Sequence, residues 1–141
     1  MSIAQLNEQL CFALYSASNS LTRVYRPLLE PLGLTYPQFV VMMALWQEDG
    51  VSITNLAKKT RLSKATMTPL LKRLEHKQLI ERQMVDQNER QKSIVLTEAG
   101  HQLALQSEEI TNKVFCATTL SAEEVSKMIE LCHRIAAAIQ P

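Results

Sequence analysis

The 141-residue sequence predicts a mainly α-helical fold carrying one small β-hairpin, on three observations. Apolar residues recur at three- and four-residue intervals near both ends of the chain. Two short helical segments in the middle are parted by a tight polar break. After them, two β-type stretches flank a polar tip, as in a hairpin. The hydrophobic fraction of 46% and the charged fraction of 21% are those of an ordinary folded protein.

Taken in order, Leu6, Leu10, Ala13, Leu14, Ala17, Leu21 and Val24 predict a first helix over residues 5–24. It extends toward Tyr25 and meets a local adjustment at Pro27, which has no amide donor. Pro31 and Gly33 mark a turn. A second helix starts at Thr35 or Tyr36, with Pro37 tolerated in its first turn, and stops before Asp49-Gly50. Val51 to Ile53 is a short extended piece, and Thr54 is expected to cap a third helix through Thr60. Ser63 caps a fourth, of roughly residues 64–77, with Met67, Leu70, Leu71 and Leu74 as its buried stripe. Pro69 falls early enough in that helix for a mild distortion only. Residues 79–85 and 92–97 form the hairpin strands around the tip 86–91. Thr97 opens a long helix to about Thr118. Ser121 and Glu124 then have capping-box spacing for a final helix carrying Val125, Met128, Ile129, Cys132 and Ile135.

The net charge is only +1, but its distribution is uneven. Residues 51–100 hold ten Lys/Arg against five Asp/Glu, a net of +5, which leaves five basic and nine acidic residues elsewhere. A basic middle between acidic ends fits a polyanion-binding module. The order helix, tight turn, helix, hairpin is that of a winged helix-turn-helix, whose second helix enters the DNA major groove. The candidate contacts are Ser63, Lys64, Thr66, Thr68, Pro69, Lys72 and Arg73 on that helix, with Arg90 at the wing tip for a minor groove. Either terminal region is too apolar to stay unpaired, so a second copy of the chain is expected to cover both. The division expected is 1–34 for an N-terminal dimerisation region, 35–99 for the winged domain and 100–141 for C-terminal dimerisation helices.

Three cysteines at wide spacing, Cys11, Cys116 and Cys132, make a poor structural disulfide framework. His76, His101 and His133 lack ligand spacing, so neither metal nor cofactor is expected. The N-terminus lacks signal-peptide character, and a cytoplasmic location is expected.

The run from Thr66 to Glu75, the wing ending Glu89-Arg90, and Leu96-Thr97-Glu98-Ala-Gly100 resemble the MarR family of regulators across essentially the whole chain. The resemblance implies a homodimer placing two winged domains on a pseudo-palindromic stretch of double-stranded DNA. The family's wing usually has Asp two residues before its Arg. Here that position is Asn88, and Asp86 is the available substitute for orienting Arg90.

Leu10 to Ser16, Tyr25 to Leu29 and Leu34 to Gln38 resemble the organic hydroperoxide resistance regulators within that family. This resemblance implies that Cys11 is the peroxide-reactive thiol, that Tyr25 and Tyr36 are its hydrogen-bonding partners from the other subunit, and that Cys116 resolves the oxidised sulfur. Physically, a thiolate attacks peroxide, and tyrosine hydroxyls donating to sulfur favour that charged form. Tyr15, at i+4 from Cys11, shares its helix face. Apolar neighbours such as Phe12, Leu14 and Met42 or Met43 favour an organic peroxide over hydrogen peroxide. Cysteine is, however, commonly just a small buried hydrophobe, the role expected of Cys132. The expectation is thus a repressor released on oxidation. The alternatives are a MarR-type repressor of inert thiols that senses a small aromatic ligand, and a thiol peroxidase. The second leaves the basic winged region unexplained, and the chain has no C-x-x-C pair to recycle the sulfur.

Overall fold

The computed structural model describes residues 2–85 and 88–139, with no side chain described from 85 to 92. Among the described residues, 3-10 turns at Leu6–Glu8 and Glu30–Leu32 accompany six helices and three strands. The helices and strands are α1 (Leu10–Leu29), α2 (Tyr36–Gln47), β1 (Val51–Ser52), α3 (Ile53–Thr60), α4 (Lys64–His76), β2 (Ile80–Val85), β3 (Asn88–Leu96), α5 (Glu98–Ala117) and α6 (Ala122–Ile139). A mainly helical fold with a small antiparallel sheet is therefore what the sequence forms.

The first helix departs from its expected bounds at both ends. Gln9 is extended and offers no side-chain cap, so α1 begins at Leu10 rather than residue 5. None of residues 2–10 is buried, and periodicity without packing does not hold a helix together. At the other end α1 runs through Pro27 to Leu29. Pro27 withholds only one amide, two residues before the end, and the almost complete burial of Leu29 holds the last turn in place.

Thr35 begins α2 with a full capping box: its hydroxyl accepts from the Gln38 amide at 3.3 Å, while Gln38 Oε1 accepts from the Thr35 amide at 3.1 Å. Ser52, not Thr54, caps α3, its hydroxyl accepting from Asn55 N–H at 3.1 Å. The extended piece before it ends one residue earlier than expected, because Val51 and Ser52 pair with Ile94 and Ser93. That pairing adds β1 to the hairpin and gives a three-stranded sheet of order β1-β3-β2. The second hairpin strand begins at Asn88 rather than 92, so polar residues expected in the tip belong to the ladder. Asp86 and Gln87 lie outside the described residues.

The core joins the faces that these elements share. Phe39, Val41, Met42 and Leu45 of α2, Leu56 of α3, the expected Met67, Leu70, Leu71 and Leu74 of α4, and Ile80 and Ile94 of the sheet are all buried. Gly100, in the first turn of α5, lies so close to the Leu79 carbonyl that a β-carbon there would overlap it. Trp46 Nε1 donates to the Gly100 carbonyl at 2.9 Å, tying α2 to the same turn. By contrast, α6 has no buried residue, although Ser121 and Glu124 cap it reciprocally at 2.9 and 3.1 Å. Among the described residues no single helix is long and apolar enough to cross a membrane.

Candidate nucleic-acid interface and thiol sites

Ser63 starts α4 as expected: its oxygen accepts from Thr66 N–H at 3.1 Å, and its hydroxyl donates to Thr66 Oγ1 at 3.0 Å. This cap aims the first turn of α4 outward. The apolar stripe is buried behind it, and Ser63, Lys64, Thr66, Thr68, Pro69, Lys72 and Arg73 are all exposed on the opposite side. Thr68 donates to the Lys64 carbonyl at 3.0 Å, which leaves its oxygen lone pairs free to accept. Pro69 lies inside the helix, which continues unbroken to His76.

Sequence reasoning passed over two cations beside this face. Lys58 and Arg61 join Ser63 and Lys64 around an open concavity between α3 and α4, and no acidic residue lines it. Arg61 ends α3 in the left-handed conformation, at φ 58°. The clue was their inclusion in the basic middle of the chain. Three cations around one concave mouth concentrate positive potential there. Arg90 lies on β3, but its side chain falls outside the described residues, as does that of Asn88.

The sensing candidates are brought together in part. Tyr25 and Tyr36 pack at a tilt of 44° with ring centroids 4.7 Å apart, and Tyr25 also packs on Phe39 at 5.8 Å. Burial, with the neighbouring Tyr36 adding to it, raises the Tyr25 pKa above its ordinary 10.0, and burial raises that of Tyr36. Both are therefore neutral phenols at physiological pH, able to donate. Cys11 and Tyr15 share one exposed face at the start of α1. Fourteen residues separate Cys11 from Tyr25, about 21 Å along a helix axis. Within one chain the thiol and the packed tyrosines are thus at opposite ends of α1.

Cys116 is exposed on α5, beside Leu105, Glu109, Asn112 and Lys113, and all three cysteines are free thiols. Cys132 is not the core residue expected of it. It is half-buried and lines an apolar cavity of about 530 Å³ with Leu21, Val24, Val125, Met128 and Ile129. Met42 is sealed in the winged-domain core. Exposed apolar side chains accumulate on the terminal elements, with Leu10, Phe12 and Tyr15 on α1, Leu105 on α5 and Met128, Ile129 and Ile139 on α6. Among the described residues no cluster of His, Cys, Asp or Glu could hold a metal.

The MarR family model matches residues 34–92. The chain is 34% identical to the organic hydroperoxide resistance transcriptional regulator of Bacillus subtilis, over 88% of this chain and 84% of that protein. It is also 34% identical to the HTH-type transcriptional regulator MgrA of Staphylococcus aureus, over 92% of this chain and 89% of the relative. Among solved structures it resembles AbfR of Staphylococcus epidermidis. Reduced AbfR bound to DNA matches at 30% identity and a TM-score of 0.76, covering 96% of this chain and 94% of that one. Overoxidised AbfR bound to DNA matches at 31% identity and a TM-score of 0.74, covering 95% of each.

Proposed function

Because the chain belongs to the MarR family of DNA-binding transcription regulators, we propose that it is a cytoplasmic repressor that senses organic hydroperoxides through Cys11. Residues 35–99 read the operator, and residues 1–34 and 100–141 pair two copies. The α4 face and the cations of the α3–α4 concavity take the phosphates and base edges of duplex DNA. Two copies related by a twofold axis set their α4 helices into successive major grooves, about one helical turn apart.

One observation carries the redox reading. Cys11 stands exposed among Leu10, Phe12 and Tyr15 while the neutral tyrosine pair sits at the far end of the same helix. The site is complete only if a second copy brings its own pair alongside. Exposed apolar faces on α1, α5 and α6 supply the surface for that pairing. The similarity to the Bacillus hydroperoxide regulator supports the same reading.

In the proposed chemistry, the Cys11 thiolate attacks the terminal oxygen of the hydroperoxide. The O–O bond breaks, an S–O bond forms, and the departing alkoxide takes a proton to leave as the alcohol. Sulfur has lost two electrons and stands as a sulfenic acid. The Cys116 thiol then attacks that sulfur, water leaves, and a disulfide remains. Tyrosine hydroxyls donating to the sulfur stabilise the thiolate before attack. A bond between α1 and α5 of the pair alters the spacing of the two α4 helices. Oxidation that disfavours the DNA-bound shape by about 1–3 kcal/mol lowers operator affinity about 5–150-fold.

The test is a gel-shift titration on the DNA upstream of the protein's own gene, with and without cumene hydroperoxide. The native protein is released on oxidation and Cys11→Ser stays bound. Cys116→Ser still responds, through over-oxidised sulfur visible by mass. Release of Cys11→Ser, or native protein that stays bound while its Cys11 is oxidised, would end the redox reading and leave the DNA-binding one standing.

A further inference from the structure

Gln38 is the only buried polar side chain among the described residues, 3% exposed, and it does more than cap a helix. Its Oε1 accepts from the Thr35 amide at 3.1 Å and also from Lys77 Nζ at 3.0 Å. Lys77 donates a second bond to the Gly33 carbonyl. It is the C-cap of α4, its own amide bonding back to the Arg73 carbonyl at 3.0 Å. One ammonium thus spans the α1–α2 connection at Gly33 and Gln38 and fastens it to the end of the DNA-reading helix. The residue next to Thr35 is Tyr36, whose ring packs on Tyr25.

We infer that Lys77 is the positioning residue through which the tyrosine site controls the DNA-reading helix. This inference rests on the hydroperoxide reading. The physical reason is that Gln38 Oε1 is shared. A buried amide oxygen that accepts two bonds is weakened by the loss of either donor, so it moves with both rather than away from one. When Tyr36 shifts to follow the oxidised sulfur, the Thr35 cap shifts with it, Gln38 follows the cap, and Lys77 transmits the displacement to α4. Two hydrogen bonds from one ammonium resist both sliding and rotation of the α4 terminus, where a single one would act as a swivel. Lys77 is exposed, so replacing it leaves the apolar core intact. No contact with DNA is required of it.

The experiment measures operator affinity by fluorescence anisotropy for reduced and cumene hydroperoxide-treated protein, with Cys11 oxidation followed by mass, in native, Lys77→Met and Lys77→Arg forms. Native protein loses affinity on oxidation by a factor in the range of about 5–150. Lys77→Met is oxidised to the same extent, but its ratio of oxidised to reduced dissociation constants falls to within about threefold of one, well below the usual span of allosteric coupling. Lys77→Arg, which can still bridge two oxygens, recovers most of the native ratio. Should Lys77→Met not fold, Lys77→Gln provides the same reading. A variant that binds more weakly in both states while keeping the native ratio makes Lys77 merely structural and overturns the inference alone. Native protein whose affinity ignores Cys11 oxidation overturns the hydroperoxide reading, and this inference with it.

Discussion

Replacing Gly100 by alanine tests the most demanding close approach in the fold. The added β-carbon would overlap the Leu79 carbonyl oxygen and press on the Leu79 carbonyl carbon at 3.3 Å and Leu96 Cδ2 at 3.2 Å. Two of these atoms are backbone, so α5 itself must back away. Overpacking of this kind costs about 1–3 kcal/mol. Retreat of α5 also stretches two hydrogen bonds, Trp46 Nε1 to the Gly100 carbonyl at 2.9 Å and Thr97 N–H to the Leu79 carbonyl at 3.1 Å. Each is worth about 1 kcal/mol. Alanine's better helix propensity returns at most about 1 kcal/mol. The net expectation is a loss of about 2–4 kcal/mol, a large share of a stability that is typically about 5–15 kcal/mol. In urea, at one fixed protein concentration, the midpoint drops by about 1–2 M with the slope unchanged. Trp46 is the only tryptophan, so its emission reports the stretched indole hydrogen bond directly. An unchanged midpoint with unchanged emission would refute the close approach.

Four further outcomes are expected. Ser63→Ala, which removes the cap of α4, lowers stability by about 1 kcal/mol in thermal melts. Ser63→Asp keeps the cap and the melting temperature yet weakens DNA binding, because it puts an anion on the presented face; equal binding by the Asp variant would count against that face. Replacing Lys72 and Arg73 together by alanine reduces the slope of log affinity against log salt by about 0.9 for each phosphate no longer neutralised, measured by anisotropy across a salt series. An unchanged slope would place the phosphates elsewhere. The last concerns pH. Tyr25 and Tyr36 have raised pKa values, chiefly from burial. Unfolded chain therefore ionises first as pH passes about 10, and folded stability is fully kept below that pH and lost as pH climbs toward the raised values. A phenolate absorbance titration should show a late fraction that disappears in Tyr25→Phe/Tyr36→Phe. A late fraction that survives both replacements would contradict the burial argument.

Local signals read well from sequence where the structure uses local chemistry. The caps at Ser63, Thr97 and Ser121 and the stripe Met67, Leu70, Leu71, Leu74 depend on spacings of three or four residues, and all are present. The exposed side of α4 follows from the same stripe by exclusion. Errors arose where residues distant in sequence decide. Burial of Leu29 carries α1 past Pro27, and pairing with β3 draws Ser52 into the capping position that Thr54 would otherwise fill. The bond from Lys77 to Gln38 joins residues 39 positions apart, and the Trp46–Gly100 bond spans 54. Periodicity carries no information about such pairs. The Thr35-x-x-Gln38 spacing could have identified the cap, though not its second donor. The Tyr25–Tyr36 contact was implied only by resemblance, since α1 and α2 must first turn at Gly33 before the two rings meet.

None of the eighteen residues of α6 is fully buried against its own chain. Helices draw most of their stability in proteins from a packed face, and a short isolated one is marginal in water. On the proposed pairing of two copies, its order is supplied by association, which ties folding to mass action. Diluting the protein should melt its C-terminus as well as separate its subunits, so a cell that makes less regulator would hold a larger fraction of it half-formed and open to proteolysis.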